Sequence, residues 1–386
     1  MFFGRRISTH FDYVLILLII PLILVSTFLL SETSTALMYR QLSYSFLGIF
    51  VFVFVFFVPF RYLYKSVIAF YVICILLLIA VDLIGTTKLG AQRWISIGGF
   101  SLQPSEPVKI AIILLLAHYI HHNPPPKGGY GILEFCKISF FILLPFLLIL
   151  KEPDLGTALV VLIMGYGMLF IIGVNKKIWI TIIVVIVIFV PIAYKFEIVL
   201  KKYQIDRIQT LISGKPKAQV YQSLIAVGSG GLTGKSKEDS TQSNLKFLPI
   251  ATSDFIFAHF AERFGFIGSL ILIILYMSIV VHIFSFCFIE SKDYFMRVIA
   301  SCVALLFFIY VIVNIGMTIE LAPVVGIPLP LFSYGGSSFI TFIVLLAMLE
   351  NAKVFRFELS YNPDSNNTNL FGKIGSIIKR KNNLFR

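Results

Sequence analysis

The chain has 386 residues, 58% hydrophobic and 13% charged, against about 45–50% and about 25% in a soluble domain. Its 39 phenylalanines exceed what a water-soluble core of this length can bury, and the four scattered cysteines offer neither a disulfide framework nor zinc-type spacing. The net charge of +13 is spread over connections and tail, so membrane lipid is the expected partner of the basic C-terminus and no nucleic acid is expected.

In chain order, MFFGRRISTHFDYVLILLIIPLILVSTFLL couples a basic flank to an apolar run too long for a signal-peptide core, and reads as a retained first helix. Ten apolar runs fall near 12–30, 41–60, 66–85, 106–122, 135–151, 155–174, 178–196, 256–286, 296–316 and 333–352. Each approaches the roughly 20 residues that a membrane-crossing helix needs. The expected fold class is an all-α polytopic membrane protein with about ten transmembrane helices. An even count puts both termini on one side. Arg5, Arg6, Arg61, Lys65, Lys176 and Lys177 flank connections on that side, which makes it the cytoplasm. One long connection, about 197–253, is then extracytoplasmic; its basic charge suits solvation or an anionic ligand equally. Residues 1–352 are read as the transmembrane domain and 353–386 as a basic cytoplasmic tail.

Several stretches carry polar groups at span ends. LQPSEPVK opens the fourth span, and its Glu106 and Lys109, three apart, can form a structural pair or handle substrate. AHYIHH (His118, His121, His122) ends that span and reads as an interfacial polar collar before a metal site. In KEPDLGTA, Asp154 can cap the sixth span. GSGGLTGKS, Gly228 to Ser236, lacks a P-loop's first glycine, since Ser229 holds that place; a tight, mobile turn is expected instead. LPIATSDFIFAHFAERFG sets Asp254 at the head of the eighth span, with Glu262 two turns on and about 12 Å along the axis. GIPLPLFSYGGSS, with Ser333 and Ser337, breaks helix before the tenth span, where irregular backbone must be buried or line a cavity. These mouths share the outer side, which favours an extracytoplasmic cleft.

GAQRWISIGGFSLQPSEPVK, EPDLGTA, QSLIAVGSGGLTGKS, STQSNLKFLPIATSDFIFA and NIGMTIELAPVVGIPLPLFSYGGSS, in that order, resemble the SEDS (shape, elongation, division, sporulation) family, and its RodA-like branch more than its FtsW-like one. The resemblance implies a ten-span peptidoglycan glycosyltransferase of the bacterial cytoplasmic (inner) membrane, serving cell elongation and shape. It would polymerise lipid II onto a growing lipid-linked glycan strand at the outer face, beside a class B penicillin-binding protein (a transpeptidase). Asp254 matches the family's catalytic aspartate, while Glu106 and Lys109 match its glutamate and lysine. Arg93, Asp154, Glu262, Ser333 and Ser337 complete the expected substrate-binding set. No cofactor is demanded, though a divalent cation, Mg or Mn, could share the diphosphate's charge. The pattern departs at Ile250, Thr252, Arg263 and Glu320, where the family usually has Glu, His, an acid and Gly. The rival readings are a transporter or flippase of the same precursor and a non-catalytic scaffold of a cell-wall complex.

Overall fold

The computed structural model describes residues 10–88, 91–97, 100–152, 154–195, 218–240, 252–289 and 293–355. Its helices are α1 Tyr13–Thr33, α2 Thr35–Phe57, α3 Phe60–Ile84, α4 Ser105–His122, α5 Ile132–Lys151, α6 Leu155–Ile172, α7 Lys176–Lys195, α8 Ala218–Ser229, α9 Ile256–Ile289, α10 Tyr294–Thr318 and α11 Gly336–Phe355. A small sheet comprises β1 Thr86–Lys88, β2 Ala91–Ile97 and β3 Phe100–Leu102. Much of the 197–253 connection, with Ile250, and the tail beyond Phe355 fall outside the described residues.

Among the described residues, eight helices are long and apolar enough to cross a membrane: α1, α2, α3, α5, α6, α9, α10 and α11. They occupy eight of the ten expected places, and α4 and α7 occupy the other two. The architecture is that of a multi-pass membrane protein. α4 differs from its neighbours for a physical reason. It is buried without interruption from Val108 to His118, so it meets protein on every face and serves as a core helix. It packs against α3, α5, α10 and α11, while α10 also packs against α9 and α6. Outer helices turn Phe46, Phe50, Phe54, Phe266, Ile271 and Ile274 outward, as hydrocarbon surroundings permit.

Two elements were not expected. Between α3 and α4 the chain forms an antiparallel sheet in the order β1-β2-β3, with Ile95 opposite Leu102 and Thr86 opposite Trp94. Within the long connection, α8 buries Val220, Ser223 and Ala226 at three-residue spacing. Ser223 Oγ donates to the Thr318 carbonyl at 2.8 Å, tying α8 to α10.

α9 is broken at Gly265, whose φ of 65° and ψ of −163° are non-helical. The break frees backbone groups that a helix would pair, and the Gly228–Ser236 segment takes them. Phe266 N donates to Gly231 O (2.9 Å), Ile267 N to Leu232 O (3.1 Å), and Lys235 N to Glu262 O (3.0 Å). A Cβ on Gly234 or Gly265 would overlap main chain across this joint. The glycine turn is tight as expected, but hydrogen bonds seat it in α9 where mobility was anticipated.

At the end of the bundle that carries the N-terminus, Asp12 caps α1 through Leu15 N at 3.1 Å. Its Oδ2 accepts from His282 Nε2 (2.7 Å) and Lys353 Nζ (2.9 Å), and its own amide donates to Glu350 Oε2 (3.1 Å). This knot joins α1, α9 and α11. Burial alone would raise the Asp12 carboxyl, but the bonds from Lys353, the Leu15 amide and His282 outweigh it and hold the group below its ordinary 3.8. Around the end of α4, Tyr64 pairs with His122 and meets the His118 ring at a tilt, and His121 faces Asp293 at 3.7 Å. That is the polar collar read from AHYIHH.

Candidate active site at the head of α9

Asp254 lies in a turn, residues 252–255, immediately before α9. Helix-type pairing starts one residue later, with Ala258 N donating to Phe255 O at 3.0 Å. Asp254 and Glu262 therefore do not share a helix face, as the spacing had suggested. The turn is fastened by its main chain. Tyr334 N donates to Thr252 O (2.9 Å), Ser333 Oγ to Ser253 O (2.7 Å), and Asn314 Nδ2 to Asp254 O (2.8 Å). Three successive carbonyls are thus held from three different residues.

The Asp254 carboxylate is treated differently. Among the described residues, its one hydrogen bond comes from Ser253 Oγ to Oδ1 at 3.0 Å. No helix amide takes it as a cap. Burial pushes the carboxyl above its ordinary 3.8, against the pull of the Ser253 hydroxyl. A partly exposed carboxylate with spare lone pairs and a raised pKa is suited to accept a proton.

The facing loop before α11 is held just as firmly. Ser333 Oγ accepts from Leu329 N (2.8 Å), Tyr276 OH donates to Pro330 O (2.8 Å), and Ser26 Oγ to Phe332 O (2.5 Å). Irregular backbone inside a membrane bundle is stable only when its polar groups are met this way. Ser333 is buried and spent on this fastening. Ser337 is half-buried at the start of α11, and its carbonyl accepts from Thr341 Oγ1 at 3.0 Å.

The other expected residues gather at the heads of α4 and α6. Asp154 caps α6, with Thr157 N on Oδ1 (3.1 Å) and Thr157 Oγ1 on Oδ2 (3.0 Å). Arg93, on β2, reaches Asp154 Oδ2 at 3.4 Å and the Glu152 carbonyl at 3.3 Å. Gln103 bridges onward: its Nε2 lies 3.5 Å from Asp154 Oδ2, and its carbonyl accepts from Glu106 N at 3.0 Å. Glu106 Oε1 then pairs with Lys109 Nζ at 2.8 Å, and Lys109 also donates to Tyr310 OH. Lys109 is 1% exposed, so the pair sits inside the bundle. Tyr310 and Asn314 are four apart on α10 and lie on one face. A single helix therefore supports the Lys109 pair and the Asp254 turn.

Glu262, expected beside Asp254, is fully buried in the α9 joint. Next to it, Arg263 makes a two-pronged pair with Glu32, Nε to Oε2 at 2.7 Å and Nη2 to Oε1 at 2.6 Å, and Nη1 donates to the Lys235 carbonyl. The acid replaced at position 263 is thus answered by an acid on α1. Thr252 stands where the family has His, yet the turn is fastened through the Thr252 carbonyl, which any residue supplies. Glu320 explains why Gly is usual there. It takes φ 61° just past α10, where Leu321 N closes onto Gly316 O at 2.8 Å. Among the described residues no three His, Cys, Asp or Glu side chains are grouped to hold a metal ion.

Asn314, Tyr310, Gln103 and Glu32 escaped the sequence reading. A polar residue inside the apolar run YVIVNIGM was the available signal for Asn314.

These features define a multi-pass membrane protein with an aspartate fixed by its main chain at the head of one span. The Cell cycle protein model for FtsW, RodA and SpoVE matches residues 5–358. The chain belongs to the FtsW/RodA/SpoVE family. It is 51% identical to peptidoglycan glycosyltransferase MrdB of Helicobacter pylori (strain ATCC 700392 / 26695), over 98% of this chain and 99% of that one. A solved chain from work on structural coordination of polymerization and crosslinking by a peptidoglycan synthase complex superposes with a TM-score of 0.79 at 25% identity, covering 90% of this chain and 99% of its own. The crystal structure of the Thermus thermophilus rod shape determining protein RodA gives 0.68 at 25% identity, over 90% and 98%.

Proposed function

We propose that this chain is a peptidoglycan glycosyltransferase that polymerises lipid II at the outer face of the cytoplasmic membrane. The observation that carries this reading is the Asp254 turn, pinned through three carbonyls while its carboxylate keeps a single hydrogen bond among the described residues. An acceptor sugar hydroxyl attacks the anomeric carbon that bears the diphosphate. Asp254 accepts the hydroxyl proton, and the diphosphate leaves with the electrons of its bond, inverting the centre. The half-buried Arg93 is the cation proposed to meet the leaving diphosphate. The buried Glu106, Lys109, Asp154, Glu262 and Ser333 hold the site, and Ser337 lies closer to solvent.

MrdB of Helicobacter pylori carries this activity in its name, and the synthase complex couples polymerisation to crosslinking. A class B penicillin-binding protein is accordingly the proposed partner, with both termini cytoplasmic. Transport of the same lipid is less well supported. Transporters leave unwound backbone free to bind ions or substrate, whereas the α9 break spends its freed groups on the glycine turn.

Purified protein with its partner, given lipid II, should yield glycan strands on a gel. Wild-type protein that binds lipid II but forms no strands would overturn the reading. A cysteine at Lys237 should react with an impermeant reagent added outside intact cells; labelling confined to permeabilised cells would invert the topology.

A further inference from the structure

We infer that Asn314 is a positioning residue of the polymerisation step, acting on Asp254 through the main chain; this rests on the catalytic reading of Asp254 proposed above.

Asn314 is fully buried on α10. Its Nδ2 donates to Asp254 O at 2.8 Å and to Ile327 O at 2.7 Å, so both amide protons are used on carbonyls of two different loops. Its Oδ1 is buried with no partner among the described residues. A buried acceptor left unmet is costly, and the side chain keeps that cost in exchange for two well-made donations. The two carbonyls belong to segments that meet at the carboxylate. Gly326, next to Ile327, has φ 71°, and a Cβ built there would lie 3.4 Å from Asp254 Oδ2. By binding residue 327 as well as 254, Asn314 sets the gap between that glycine and the oxygen that takes the proton. Ser333 fastens the neighbouring carbonyl of Ser253, but among the described residues it is Asn314 that joins the Asp254 peptide to both α10 and the Gly326 turn.

Three variants separate this role from a general packing role. Asn314→Leu keeps the approximate volume and removes both donors. Asn314→Asp keeps the shape and turns oxygens toward two carbonyls, and Asn314→Gln keeps the donors on a longer stem. Displacing a reacting group by about 1 Å costs on the order of 10²-fold. The Leu and Asp variants should therefore lose about that much kcat on lipid II, with KM within about twofold of wild type, and Gln should fall between. Rates are counted per molecule that elutes as a folded monodisperse species, so a variant that misfolds leaves the other two to decide. In an Asp254→Ala background, Asn314→Leu should cause no further loss, because a residue acting only through Asp254 has nothing left to position. Unchanged kcat in any folded variant, or a further full drop in the Asp254→Ala background, would overturn the inference. If Asp254→Asn itself polymerises normally, the catalytic reading fails; if Asp254→Asn is inactive while folded Asn314 variants are normal, only the positioning role fails.

Discussion

Asp12 and Asp254 each stand at the head of a helix, at opposite ends of the bundle, and their surroundings differ in kind. At Asp12 the carboxylate itself is consumed, by the Leu15 amide, His282 and Lys353. At Asp254 the peptide carbonyls are consumed and, among the described residues, the carboxylate keeps one hydrogen bond, from Ser253. The first arrangement locks three helices and lowers the pKa; the second fixes a position and lets burial raise it. The Asp12 carboxylate has its oxygens satisfied, whereas the Asp254 carboxylate is left with acceptor capacity, as the proposed proton transfer requires.

The widest separation comes from matched substitutions. Asp254→Asn should cut polymerisation by about 10²-fold or more without a loss of folded protein. Asp12→Asn should leave the rate per folded molecule unchanged while lowering stability by roughly 1–3 kcal/mol, since Lys353 and His282 lose their charge partner. A thermal melt in detergent beside a lipid II assay reads both, and an inactive but stable Asp12→Asn would erase the contrast.

Acid should separate the two groups next. Asp254 must be ionised to act, so kcat falls as pH drops through its raised pKa, about tenfold per unit below it. The midpoint should therefore lie above 3.8. Asp12, with its folded pKa depressed, contributes stability that is present above about 3.9 and is lost as pH falls through the lower folded value. Activity should fail on acidification while the knot still holds. A melting temperature that collapses before kcat would reverse that order.

The Arg263–Glu32 pair tests whether the outer end also owns a structural lock. Both side chains are largely buried, so Arg263→Glu should cost about 3 kcal/mol by leaving two acids face to face. Glu32→Arg added to it should recover part of the loss; no recovery would mean that the pair does not hold the joint. The smallest effect is expected at Glu320. Its left-handed backbone suits glycine, and Glu320→Gly should raise stability by about 1 kcal/mol, with lipid II turnover unchanged. A lower melting point would show that the Glu320 side chain contributes more than its backbone strain costs.

Hydrophobic runs made the spans legible, because each crossing helix must carry its own apolar length. The run read from 256 meets the head of α9 at Ile256, but helical spacing wrongly put Asp254 on the face of Glu262, since the turn at 252–255 is set by partners more than 50 residues distant: Asn314 lies 60 residues from Asp254 and Ser333 80 from Ser253. Side-chain types along one stretch cannot announce such bonds when the acceptors are main-chain carbonyls. The sheet was within reach, as WISI followed by FSL alternates with a period of two. Asp254 and the Glu106–Lys109 pair were legible as residues, the latter by its three-residue spacing. Their environments were not. Depth in a bundle depends on which helix becomes the core, and α4 became one through packing against α3, α5, α10 and α11.

The joint at Gly265 carries a consequence for protein engineering. Its three cross-links run between amides and carbonyls of residues 231, 232, 235, 262, 266 and 267, so the side chains at those positions are bystanders to the bond pattern. A library that randomises Leu232, Thr233 and Lys235 should return many active clones. One that randomises Gly234 or Gly265 should return almost none, because there the neighbouring main chain leaves no room for a first carbon.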